Sequence, residues 1–239
     1  VPGTLYVVAT PIGNLEDVSL RALRILREVD LVAAEDTRRT RALLTRHEIH
    51  TPTTSYFEHN KLVKGPELIR QLREGRSIAV VTDAGTPGIS DPGFMLVRDA
   101  LAAGVRVVPV PGPSAVVAAL SASGIPADRF VFDGFLPVKP GRRVNRLRAL
   151  QALETTVVVY ESPHRILAAL DAIAEVFGDT EIIVARELTK QFEEIVRATA
   201  AAHRARLAAA PVRGEFTLII PASRPALLDE APDGEEPAG

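Results

Sequence analysis

The chain has 239 residues, is 46% hydrophobic and 24% charged, and carries a formal net charge of −2. That composition suits a globular protein, and the charge means that a nucleic-acid partner must be held by local basic clusters rather than by the whole molecule. Cysteine is absent, which excludes disulfides and thiolate metal sites in these residues and fits a cytoplasmic enzyme. No apolar run approaches the ~20 residues that span a bilayer, and the opening VPGTLYVVATPIGN has no basic n-region, so neither a membrane span nor a signal peptide is expected.

The length admits one large domain or two of ordinary size. In chain order, TLYVVA at 4–9 reads as a strand, and 17–28 as a helix with an apolar stripe at Val18, Leu20, Leu23, Ile25 and Leu26. VDLVAA at 29–34 is the next strand, and Asp36 is placed to cap a basic helix. A helix over 62–73 ends at Gly75, SIAVVT forms a strand, and a further helix runs from Pro92 to Ala103. VRVVPV at 105–110 closes a first domain expected over 1–112. Strands alternating with helices predict a mainly parallel sheet.

PGPSA at 111–115 marks the junction, with a helix starting at Ser114. The second domain, expected over 113–221, repeats the α/β alternation. RFVFDG, TTVVVY, TEIIVA, EEIVRA and GEFTLII are strands; 142–153, 163–177 and 199–210 are helices. Short connectors flank two of these strands, so this sheet is expected to be mixed. The acidic Pro/Gly/Ala-rich tail, 222–239, is expected to be disordered.

Several stretches can carry chemistry, and each also has a plainer reading. ATPIGNLED follows the first strand, where parallel α/β sheets bind ligands, but could be a tight turn with Asn14 or Asp17 as helix cap. VVTDAGTPGISDPG at 80–93 packs turn residues after a buried strand. It lacks the lysine of a P-loop, leaving either a bare loop or one where Gly85 and Gly88 let the main chain touch a ligand. Ser114 caps a helix or offers its hydroxyl. YFEHN brings together an aromatic, a carboxylate and His59, a candidate general base. AEDTRRTR and LPVKPGRRVNRLRAL offer basic helices for phosphate, or solvated faces. The histidines are scattered and no metal site is expected.

Taken in order, ATPIGNLEDVSLRAL, AEDTRRT, YFEHN, VTDAGTPGISDPG, VPGPSA, DGFLP with KPGRR, YESPHR, ARELTK and GEFTLII resemble one family closely. It is the tetrapyrrole-methylase-like S-adenosylmethionine methyltransferases, and the likeness is strongest to its ribosomal RNA small subunit methyltransferase I branch. The resemblance implies two α/β domains with a cofactor cleft between them, and 2′-O-methylation of a cytidine in 16S ribosomal RNA. It also implies a homodimer, acting on 16S RNA or the 30S subunit. By family analogy the cofactor is held at Pro11 and Gly13, Asp83, Ala84, Gly85, Thr86 and Pro87, Ser114 and Ala115, Tyr160 and Glu161, Glu187 and Leu188, and Phe216. Many relatives carry Gly-Asp-Pro where this chain has Gly85-Thr86-Pro87.

A neutral ribose hydroxyl is a poor nucleophile, so a base or strong orientation should help. His59, Glu35 and Asp36 are the candidates. RNA contacts are expected from Arg38, Arg39 and Arg41 and from Lys139, Arg142, Arg143 and Arg146. Two other readings stay open: methylation of a corrin precursor, and a non-catalytic ribosome-assembly factor.

Overall fold

Alternation of buried residues along each strand decides how the first unit is layered. The computed structural model describes residues 1–91 and 93–222. Pro92, expected to open a helix, and the tail from residue 223 onward therefore lie outside the described residues. Contacts divide the described residues into two units, Val1–Ala118 with Leu188–Gln191, and Ala119–Glu187 with 192–222. The division falls inside a helix after Ala118, whereas the sequence placed it before residue 113.

In the first unit the strands are β1 (Thr4–Val8), β2 (Leu31–Ala34), β3 (Thr53–Ser55), β4 (Ile78–Val81) and β5 (Arg106–Val110). They form one sheet in the order β3-β2-β4-β1-β5, and every pairing is parallel. Helices α1 (Leu20–Glu28), α2 (Thr37–Arg46), α3 (Lys61–Arg73) and α4 (Gly93–Ala102) connect them. Val32, Ala34, Ala79 and Val81 pack on one face with Leu23 and Leu26 of α1 and Leu43 and Leu44 of α2. Leu31, Ala33, Ile78 and Val80 pack on the other with Leu68 and Leu72 of α3 and Leu96 and Ala100 of α4. Neighbouring residues face opposite ways, and both faces are covered, as a parallel sheet requires.

Two local readings shift. The helix expected from residue 17 is a 3-10 turn, Leu15–Asp17, followed by α1, because the Ser19 side chain accepts from Ala22 N at 3.0 Å and sets the start there. The three-residue strand β3 was not anticipated.

Helix α5 (Ala115–Ser123) carries the chain out of the first unit. The second unit holds β6 (Phe130–Phe135), β7 (Thr156–Glu161), β8 (Glu181–Arg186), β9 (Glu194–Thr199) and β10 (Phe216–Ile220). Their order is β6-β7-β10-β8-β9. Only β6 and β7 run parallel; the other pairs are antiparallel, so the sheet is mixed. Helices α6 (Pro140–Gln151), α7 (Ile166–Phe177) and α8 (Ala200–Ala208) pack on Val157, Val159, Ile182, Val184, Leu218 and Ile220.

One polar side chain in that core gives a pH-dependent prediction. His203 of α8 is 1% exposed; its Nε2 lies 3.3 Å from Ile182 O, and Nδ1 has no partner among the described residues. Burial, against the opposing backbone hydrogen bond, pushes its pKa below the ordinary 6.5. The unfolded chain therefore binds the proton first on acidification, so stability is full above pH ~6.5 and falls as pH drops below it. The urea midpoint of the wild type should decline across that window, and His203→Leu should flatten part of the decline. Parallel curves would show that His203 does not contribute.

Candidate active site

Because every strand of the first sheet runs the same way, the loops after β1, β2, β3, β4 and β5 emerge along one edge. The Pro11–Asn14 turn and the loop after β4 are joined there by two main-chain bonds, Thr10 N to Gly85 O at 2.9 Å and Gly85 N to Thr10 O at 3.0 Å. The Thr10 hydroxyl adds a bond to Thr82 O at 3.1 Å. Gly85 makes this possible at φ +84°, a left-handed conformation that side chains resist.

The loop after β5 joins the same cluster, for the Thr86 hydroxyl donates to Pro113 O at 3.2 Å. An ionised aspartate could not donate that bond, which gives Thr86 a task of its own. Asp91 closes the far end of the β4 loop by accepting from Gly88 N at 2.8 Å and Gly93 N at 2.6 Å. Burial holds its carboxyl above the usual range, with those two N–H groups opposing.

The fourth component is the segment Leu188–Gln191. Thr189 sits at φ +66°, and its Oγ1 accepts from Asn14 N at 3.1 Å. A Cβ on Gly13 would fall 2.9 Å from Leu188 O and 2.5 Å from Lys190 Cγ. The first unit thus gathers Pro11, Gly13, Asp83–Pro87, Ser114, Ala115 and Leu188 into one cluster of loops.

The carboxylates divide their roles. Asp36 caps α2 by accepting from Arg38 N at 2.8 Å and pairs with the Arg38 guanidinium at 2.7 Å. Those bonds, the side-chain one first, lower its pKa to about 2. A carboxylate so stabilised is a weak base. Glu35 accepts from the Thr82 hydroxyl at 2.6 Å, and Asp83 accepts from Asp36 N at 2.9 Å. Burial, then the charge of Glu35, holds the Asp83 carboxyl above its ordinary range, with Arg39 at 3.5 Å opposing.

His59 is exposed, edge-on to Phe57 at 6.1 Å, in the loop after the edge strand β3. Among the described residues no hydrogen bond joins it to Glu35, Asp36 or Asp83. Tyr56 is buried, and Asn60 clasps the loop by accepting from Phe57 N at 2.8 Å.

In the second unit the candidates form a row across adjacent strands. Phe216 stands opposite Glu161 on one side and Arg186 on the other, and Thr217 stands opposite Tyr160. Phe216 is 2% exposed, so its ring is part of the core. Glu187, at φ +51°, donates its N–H to Glu215 O at 3.0 Å. Glu161 is buried, which raises its pKa against the opposing Ser162 N–H and Arg165.

The basic residues do not form the uniform surface that their spacing suggested. Arg143 is 4% exposed and donates to Pro137 O at 3.1 Å and Val138 O at 3.0 Å. It is an internal clamp, because those loop carbonyls need donors that an apolar side chain could not supply. Arg146 is tied to Asp133, Arg38 to Asp36 and Arg39 to Asp83. Arg41, Lys139 and Arg142 are exposed, and their side chains have no partner among the described residues.

Residues 4–203 match the Tetrapyrrole (Corrin/Porphyrin) Methylases family. The chain belongs to the tetrapyrrole methylase family. Three of its relatives are each named ribosomal RNA small subunit methyltransferase I. The protein of Pseudomonas aeruginosa is 55% identical over 194 residues, 81% of this chain and 69% of that one. That of Mesorhizobium japonicum is 51% identical, covering 90% and 74%. That of Bacillus subtilis is 46% identical, covering 95% and 78%. Among solved structures, a diphthine synthase superposes with a TM-score of 0.72 at 15% identity, covering 92% of this chain and 90% of that one. A uroporphyrin-III-C-methyltransferase of Thermus thermophilus gives 0.63 at 19% identity, covering 91% and 94%. These likenesses carry the tetrapyrrole methylase fold.

Sequence reasoning did not single out Thr10, Asp91 or Thr189. Asp91 had a signal, a carboxylate between two glycines in GISDPG; the other two act through partners far away in sequence. Among the described residues no cluster of three or more His, Asp or Glu could hold a metal, and no helix is long and apolar enough to cross a membrane.

Proposed function

We propose that this tetrapyrrole methylase methylates small-subunit ribosomal RNA, at the ribose 2′-oxygen of a cytidine, with S-adenosylmethionine as donor. The observation that carries the reading is 46–55% identity, over 81–95% of the chain, to relatives named for that RNA substrate. The loops of the first unit suit the cofactor. The stretch from Val80 to Gly93 has no Lys or Arg but contains Asp83, matching a cationic sulfonium and ammonium without phosphate.

Pro11, Gly13, Asp83 to Pro87, Ser114, Ala115 and Leu188 would hold the cofactor, with Tyr160, Glu161, Glu187 and Phe216 as further candidates. When bound, the cofactor supplies an electrophilic methyl group. The chain's task is then to orient the ribose hydroxyl and accept its proton. Glu35 and His59 are the proposed acceptors, and Asp83, with its raised pKa, joins them in place of Asp36.

Incubation with methyl-tritiated S-adenosylmethionine and 30S subunits lacking the modification should label 16S RNA. Digestion should place the label in a ribose-methylated cytidine. Label on a corrin precursor and not on RNA would favour the tetrapyrrole alternative. No label in either would leave an assembly role.

A further inference from the structure

Strand β6, FVFDGF, contains an irregularity with a geometric consequence. Its register against β7 runs Phe130–Thr156, Val131–Val157, Phe132–Val158, and then jumps to Phe135–Tyr160. One extra residue has been inserted on the β6 side, which makes a bulge, and Gly134 turns there at φ +63°. Asp133, inside the bulge, is fastened by Arg146.

Side chains three apart on a regular strand point to opposite faces. Here Phe132 and Phe135 both reach the Tyr160 ring, with centroids 4.8 and 5.8 Å away and rings inclined at 66° and 60°. The bulge has re-aimed Phe135 onto that support, yet the residue stays 51% exposed.

The next residues are held by two arginines, Arg143 buried and Arg165 half-buried. Leu136 is 1% exposed, and its carbonyl accepts from Arg165. The carbonyls of Pro137 and Val138 accept from buried Arg143. Glu161, with its side chain fully buried, lies 3.3 Å from Arg165 Nε, and its Oε2 has no hydrogen-bond partner among the described residues. Taking charge out of water is costly unless pairing and hydrogen bonds offset it, and here the arginines donate to three successive carbonyls. Above them Val138 is 69% exposed. Lys139 and Arg142 extend into solvent without partners among the described residues.

We propose that Phe135 is a stacking platform for an unpaired base of the RNA substrate, flanked by Lys139 and Arg142 as phosphate contacts and supported by Arg143 and Arg165 as positioning residues. An exposed ring on a rigid backbone, with two free cations within the next seven residues, matches how single-stranded RNA is held, by a π-face and its backbone charge. The inference rests on the reading of an RNA substrate and assigns part of its binding surface.

The test measures affinity for unmodified 30S subunits, affinity for S-adenosylmethionine and methyl-transfer kinetics, with wild type, Phe135→Ala, Phe135→Leu, Phe135→Trp and Arg142→Ala. Phe135→Ala should weaken 30S binding about tenfold. Phe135→Leu keeps the apolar bulk that supports folding but has no π-face, and should behave likewise. Phe135→Trp should restore binding. Arg142→Ala should lower the slope of log affinity against log salt by about one. Cofactor affinity should be unchanged throughout, with the losses appearing in KM for RNA.

Unchanged 30S affinity in Phe135→Leu, with transfer intact, would overturn the platform and leave the RNA reading standing. Equal losses of cofactor and 30S affinity would also overturn it, placing the ring against the cofactor instead. Absence of transfer by the wild type would overturn the RNA reading, and this inference with it.

Discussion

Replacing Gly13 with alanine is expected to cut methyl transfer about a hundredfold. Gly13 has no positive φ, so its requirement is for space rather than for backbone freedom. The added methyl would stand 2.5 Å from Lys190 Cγ, 2.8 Å from Thr189 Oγ1 and 2.9 Å from Leu188 O. The lysine stem can swing aside; the Leu188 carbonyl belongs to the main chain and cannot move alone. That main chain is held in an unusual conformation, with Glu187 and Thr189 both at positive φ, and it has little room to adjust. The substitution should therefore separate the Pro11–Asn14 turn from the Leu188–Gln191 segment. Steady-state kinetics on 30S subunits and calorimetric titration with S-adenosylmethionine would measure it, with the loss appearing in cofactor affinity. Wild-type values in both would show that the two segments need not touch.

Arg143→Ala should destabilise the protein by about 3 kcal/mol, since two charge-assisted hydrogen bonds are lost and two loop carbonyls are left without donors. A urea titration should show the midpoint fall. Arg142→Ala, one position away but exposed, should change stability by no more than about 0.5 kcal/mol. Equal midpoints for Arg143→Ala and wild type would contradict the clamp. The contrast also bears on how the basic run is probed. A double charge reversal at 142 and 143 would damage the fold and the RNA surface together, so only Arg142 reports on binding cleanly.

That pair also shows where sequence reading stops. In LPVKPGRRVNRLRAL the two arginines are chemically identical neighbours, and their different roles depend on the carbonyls of Pro137 and Val138, just before α6, which Arg143 reaches. The alternation of β-rich and helical segments, the parallel first sheet and the mixed second sheet were legible because they follow from periodicity and connector length. Strand β3 was not: three residues, Thr53–Ser55, are too few to show a period, and their strand character comes from pairing with β2. Asp36 was read as both a helix cap and a candidate base. The cap prevails, because the same bonds that start α2 keep the carboxylate ionised. Thr86 was placed with the cofactor residues by family analogy alone; its bond to Pro113 O was not legible, as that partner lies on another loop.

The pairing of β1 carries a consequence for how the first unit comes into being. Among the described residues β1 pairs with β4 and β5 alone, and both are made much later than it is. The Thr10–Gly85 bonds that shape the cofactor loops wait on the same event. Acquisition of a competent site is then tied to one late, long-range docking step, in which β1 is captured between strands far downstream. A nascent chain cut before β5 would hold β2, β3 and β4 ready to pair, with one flank of β1 still bare, an edge open to aggregation. Slow-exchanging amides at Thr10 and Gly85 would mark the moment when that flank closes.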